Sequence, residues 1–162
     1  MKFYKNNAGA VFAYAADGSQ DAFISPTLTA ITQADADTLR GPTLAQAQAA
    51  QAATVSAACQ VAITAGVTSG TYTYPTKTTD QTNLAAAVNL STIPGNAASW
   101  TVPIMCQSAG GTWVRVPHTA AQVQKAGQDV FMQILSLLMR NDVLAAQIAA
   151  AGSVAIVQSI TW

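Results

Sequence analysis

Charge is the first thing this chain of 162 residues lacks. It has no Glu, its seven Asp balance seven Lys+Arg, and only 9% of its residues are charged, against ~25% in an ordinary soluble domain. The basic residues are scattered at positions 2, 5, 40, 77, 115, 125 and 140. No cluster of them could neutralise a run of phosphates or an anionic bilayer, so nucleic acid is not expected as a partner.

Histidine is almost as scarce. His118 is the only one, and it follows Pro117 and precedes Thr119, which places it in a turn. A nucleophilic triad needs a nucleophile, a base and an orienting acid. The nearest carboxylate in sequence is Asp129, and there is no Gly-x-Ser-x-Gly elbow. One His and two Cys 47 residues apart cannot supply a structural zinc site, and Asp35-Ala36-Asp37 lacks the oxygen ligands and glycine of a calcium loop. Enzymatic chemistry, a metal and a cofactor are therefore not expected. Cys59 and Cys106 read as small buried apolar residues. No run approaches the ~20 apolar residues of a membrane span, and Met1–Asn7 holds no apolar stretch of the kind a secretory signal needs, so a cytosolic location is expected.

What the chain has instead is Ala, 34 residues of it, with 19 Thr and 14 Gln. Zero net charge on a chain that is 51% hydrophobic favours self-association or a permanent partner, since little repulsion keeps copies apart.

The order of signals predicts an α+β protein. A small N-terminal β meander is followed by a helical domain of antiparallel long helices with short β hairpins. Phe3-Tyr4, Val11–Tyr14 and Ala22–Ile24 read as three strands separated by Asn/Gly and Asp/Gly turns. Thr32 with Asp35 suggests a capped short helix, and Gly41-Pro42 closes it, dividing 1–41 from 42–162. Residues 43–65 form an Ala/Gln-rich helix with Thr43 as N-cap and Gly66 at its end. The alternating Thr71–Pro75 suggests a strand, Thr79–Leu90 a helix, and 100–107 with 112–116 a hairpin around Ser108-Ala109-Gly110-Gly111. The longest element runs from Thr119 to about Ala151. Val123, Val130, Leu137, Leu144 and Ala151 recur by sevens, with Gly127, Ile134, Asn141 and Ile148 between them, a stripe able to support helix pairing. The Ala-rich face of 43–65 is the expected partner for most of it. Val154–Ile160 makes a last short segment.

Two groups of side chains stand out as contact candidates. Phe3, Tyr4, Phe12, Tyr14 and Phe23 crowd a module too small to bury them all, which suggests exposure to a partner. Leu135, Leu138 and Met139 lie off the main stripe and suggest an oligomer contact, in a dimer or a trimer.

The opening Met1–Lys5 with Gly9, then Val11–Tyr14 and Gln20-Asp21, resembles the N-terminus of bacteriophage tail fibre assembly proteins. The remainder is similar to an associated C-terminal phage domain of unknown function, through Tyr74–Leu84, Trp100–Pro103, the hairpin through Trp113, Pro117–Val123 and Val157–Trp162. The resemblance implies a non-enzymatic chaperone or tip cap that binds a phage tail fibre protein. It would act in the host bacterial cytoplasm during assembly and could remain in the virion tail. A permanent structural subunit of the tail, baseplate or receptor-binding apparatus is the alternative. A glycan-binding module, marked by exposed Trp or Tyr, is a third.

Overall fold

A computed structural model describes residues 1–108 and 110–162; Ala109, in the expected hairpin turn, lies outside the described residues. The protein is α+β, with two antiparallel sheets and five α-helices among the described residues. Its chain groups into two compact units. The first is 1–50 with 151–159, and the second is 51–150 with 160–162.

In the first unit, β1 (Lys2–Lys5) is the central strand. It pairs antiparallel with β2 (Val11–Tyr14) on one side and with β3 (Thr29–Ile31) on the other. The meander is thus replaced by the order β2-β1-β3. The third strand is not Ala22–Ile24 either. Asp21–Phe23 forms a single turn of 3-10 helix, because the Asp21 carboxylate accepts from the Lys2 ammonium at 2.6 Å and the amides of Phe23 and Ile24 turn back onto Gln20 and Asp21. The chain pairs as a strand again only from Thr29. α1 (Gln33–Arg40) opens with a capping box: the Asp35 amide donates to Thr32 Oγ1 and the Thr32 amide to the Asp35 carboxylate. That satisfies two of the orphan groups at a helix start. The Thr32 hydroxyl, which also donates to the Asp35 carboxylate at 2.7 Å, holds that carboxyl below its ordinary range, helped by the Thr32 amide.

α2 (Leu44–Thr64) begins with a second reciprocal cap between Thr43 and Gln46. It ends where Gly66, at φ +97°, turns the chain; a Cβ there would lie 3.1 Å from the Tyr74 carbonyl, so the turn needs glycine.

The second unit is a four-stranded sheet, β4 (Val67–Ser69), β5 (Tyr72–Tyr74), β6 (Thr101–Gln107) and β7 (Trp113–Thr119), in the order β4-β5-β6-β7. Its helices are α3 (Thr78–Ser91), α4 (Ala120–Ala150) and the part of α2 from residue 51 on. β5, within the expected Thr71–Pro75 strand, is the second strand of a hairpin with β4. β7 runs on through Pro117 and His118, so His118 is a strand residue and not a turn residue. The alternation of β6 and β7 sends Val102, Ile104, Cys106, Val116 and His118 to one face. Pro103, Met105, Trp113, Arg115 and Pro117 go to the other. The inward set packs with Leu84, Ala87, Val123, Ala126 and Val130 to form the main core. Pro103 stands opposite Pro117. A proline fits a ladder only where its nitrogen points away from the partner, so each guards one flank of the hairpin against further pairing.

α3 packs antiparallel to α4. Gln124 donates to the Ser91 hydroxyl at 3.1 Å, and Gly127 meets Val88 so closely that a Cβ would lie 2.5 Å from its methyl. The helix against the first half of α4 is thus α3 and not the Ala-rich 43–65 segment. The close approach comes from one glycine rather than an alanine face. α2 meets α4 further along, where the Cys59 thiol donates to the Leu137 carbonyl. Val123, Val130 and Ile148 of the heptad stripe are buried, as the sevenfold spacing requires. The last segment is a helix, α5 (Val154–Ser159), started by Ser153, whose hydroxyl accepts from the Ile156 amide.

Candidate interaction surfaces

The five N-terminal aromatic residues divide by strand parity. Phe3 pairs with Ala13 and Ile31, and the Arg40 guanidinium of α1 sits 5.3 Å over its ring. Phe3 therefore lies on the helix-covered face. Tyr4 and Phe12 are direct cross-strand neighbours, and Tyr14 stands opposite Lys2. These three share the other face. Tyr4 and Tyr14 meet edge to face at 5.7 Å, a geometry that suits the ring quadrupoles. Phe12 is 39% exposed, and Phe23, on the 3-10 turn, is 76% exposed. The structure brings Tyr4, Phe12 and Tyr14 together, sets Phe3 on the opposite side and leaves Phe23 projecting from a turn.

Leu135, Leu138 and Met139 all lie on the exposed side of α4, with Phe131, Met132 and Val143 beside them. Those three were missed in the sequence, although their spacing held the signal. Positions 131, 135 and 138, and positions 132, 139 and 143, repeat at helical intervals of three, four and seven.

The polar cluster around His118 is a different kind of feature. His118 is 1% exposed. Nδ1 lies 2.8 Å from the Val116 carbonyl and Nε2 lies 2.8 Å from the Tyr74 hydroxyl. Since a carbonyl only accepts, Nδ1 carries the proton and Nε2 accepts from Tyr74. Both ring nitrogens are committed to structural bonds. Tyr72 packs against the same imidazole at 5.2 Å. Burial pushes the Tyr74 phenol up to about 12, so it stays a donor. Nearby, Asp129 accepts from Lys125 and from Ser69, and both bonds hold its carboxyl below the usual range, the Lys125 one most. Burial raises the thiols of Cys59 and Cys106, which keeps them protonated and poorly nucleophilic. Among the described residues no group of three His, Cys or carboxylate side chains could hold a metal.

A groove of about 330 Å³ runs between α3 and the flank of β6 that β5 leaves open; only Thr73 and Gln107 pair across that seam. Leu84, Ala87, Val102 and Ile104 form its apolar floor, and Asp80, Asn83 and Arg115 line its rim. An apolar floor with a few polar groups suits a side chain or short segment of another molecule. Asp80 lies in the first turn of α3, whose N-cap is Lys77.

The described residues thus define an α+β protein with a partly exposed aromatic sheet face, an exposed apolar side of α4 and a shallow groove. The chain belongs to the family described as a domain of unknown function (DUF4376), whose model matches residues 46–161. No curated protein and no solved structure matches it. No helix among the described residues is long and apolar enough to cross a membrane.

Proposed function

We propose that this protein is a non-enzymatic assembly factor for a phage tail fibre, acting as a chaperone or tip cap through the N-terminal sheet. One observation carries the reading: Tyr4, Phe12 and Tyr14 gather on one face of a three-stranded sheet and stay partly accessible. Aromatic side chains offer large contact area at low entropic cost and are enriched at the centres of protein interfaces. The likeness of residues 1–21 to tail fibre assembly proteins supplies the fibre as the partner. Lys2, on the same face, is already paired with Asp21, which supports docking there without stripping water from an unpaired ion. The commitment of both His118 nitrogens to structural bonds supports the non-enzymatic side of the proposal.

Co-expression with the fibre tests it. The wild-type chain should keep the fibre soluble and co-purify with it. Phe12→Ala combined with Tyr14→Ala should abolish co-purification while the circular dichroism spectrum is retained. A fibre that folds equally well without the protein would sink the chaperone role. The second reading, a permanent tail or baseplate subunit, is favoured by the exposed apolar side of α4. It requires stoichiometric amounts of the protein in purified virions by mass spectrometry.

A further inference from the structure

α4 has two apolar sides. At 100° per residue, Val123, Val130 and Ile148, all buried, and the half-buried Leu137 fall on one side of the helix. Phe131, Met132, Leu135, Leu138, Met139 and Val143 fall on nearly the opposite side, within an arc of about 140°. Phe131 is 63% and Met139 60% exposed. A surface helix in a monomer has one apolar stripe and a polar back. Here the back carries the largest side chains of the helix.

The geometry points to a second copy of this chain as the occupant, packed antiparallel about a two-fold axis beside Leu135. The six side chains leave roughly 600 Å² of surface uncovered, close to the ~800 Å² per partner of a standard interface. With the axis at Leu135, position n faces position 270 − n of the other copy. Phe131 then meets Met139, Met132 meets Leu138, and Leu135 meets itself. Each contact is apolar against apolar, as the self-complementary patch of a two-fold interface requires. Of the ionisable residues in the arc, Asp142 falls opposite Gln128, whose amide can donate to it, and Lys125, at the arc's edge, falls opposite Ala145. No like charges oppose each other, and zero net charge removes general repulsion. A parallel pairing would instead set Asp142 against Asp142. The inference is independent of the fibre-binding proposal, and no fibre enters its test.

Sedimentation equilibrium of the full chain across the micromolar range should give the mass of a dimer. Leu135→Asp puts two carboxylates on the axis and should raise the dimer Kd roughly 100-fold or more, with the helical circular dichroism unchanged because the side chain is already part-exposed. Cross-linking decides the geometry even if that variant folds poorly. Both native cysteines are buried, so an introduced exposed cysteine reports alone. Phe131→Cys mixed with Met139→Cys should form the mixed disulfide, and each alone should not. A monomeric or trimeric wild-type chain overturns the inference, the first assigning this face to another partner. So does Phe131→Cys cross-linking to itself as fast as to Met139→Cys.

Discussion

The two compact units are built on opposite principles. In the second, a sheet face and two helices enclose a continuous core from Val67 to Val130, and its one histidine is sealed inside. In the first, no strand residue is fully buried; its buried apolar residues are Ala36, Ala47, Ala151 and Val157. Its organisation rests on caps, Asx turns and ring contacts: Thr32 with Asp35, Asn6 accepting from the amides of Ala8 and Ala10, and Tyr4 against Tyr14. The difference teaches where each unit's large side chains go. The second unit buries large side chains in its core and leaves others exposed along α4. The first buries only Ala and Val and leaves Phe12 and Phe23 exposed.

Substitution can break that comparison, and the largest effect belongs to the core. Leu84→Ala should cost about 2–5 kcal/mol through lost burial and the cavity left behind, read as a fall of roughly 10 °C or more in Tm. A cost no greater than that of a surface change would mean the core is not where the stability lies.

Alkaline pH offers a second probe of the same unit. Tyr74 holds its proton up to about 12 in the fold and to ~10 when unfolded. Between these values the native state binds the extra proton. Its contribution is complete below pH ~10 and is lost as pH rises towards 12, a loss of roughly 3 kcal/mol. Urea denaturation followed across that range should show the decline. Tyr74→Phe should flatten it, while lowering stability near neutral pH by about 1–3 kcal/mol, because His118 Nε2 loses its donor.

The smallest effect belongs to the first unit. Thr32→Ala removes half of the capping box and should cost about 1 kcal/mol, seen as faster amide exchange in 33–40 and not in α3. Protection of 33–40 unchanged by the substitution would sharpen the contrast differently, by showing that packing rather than the cap holds α1.

Local signals were readable in the chain itself. Thr32, Thr43 and Thr119 cap the helices they precede, and the spacing by sevens picked out the buried side of α4. The failures were all about partners. Ala22–Ile24 has the composition of a strand, but β1's second edge is taken by Thr29–Ile31. His118 looked like a turn residue because Pro117 precedes it; the outward nitrogen of Pro117 lets the strand continue. Of the contact candidates, the second stripe of α4 was half legible, and the groove beside β6 was not legible at all, since it exists only where β5 and β6 splay apart.

The sequence alone therefore determined the α+β class, the limits of α1 to α4 to within a residue or two, and the chain's poverty of charge. Those properties depend on neighbours one to seven residues apart. Only the tertiary structure decided that β1 is central, that α3 rather than α2 lies along the first half of α4, and that Tyr4, Phe12 and Tyr14 share a face without Phe3. Each of these depends on which distant segment wins a place, and that is settled by how well side chains such as Gly127 and Val88 fit together, not by the pattern of either segment taken singly.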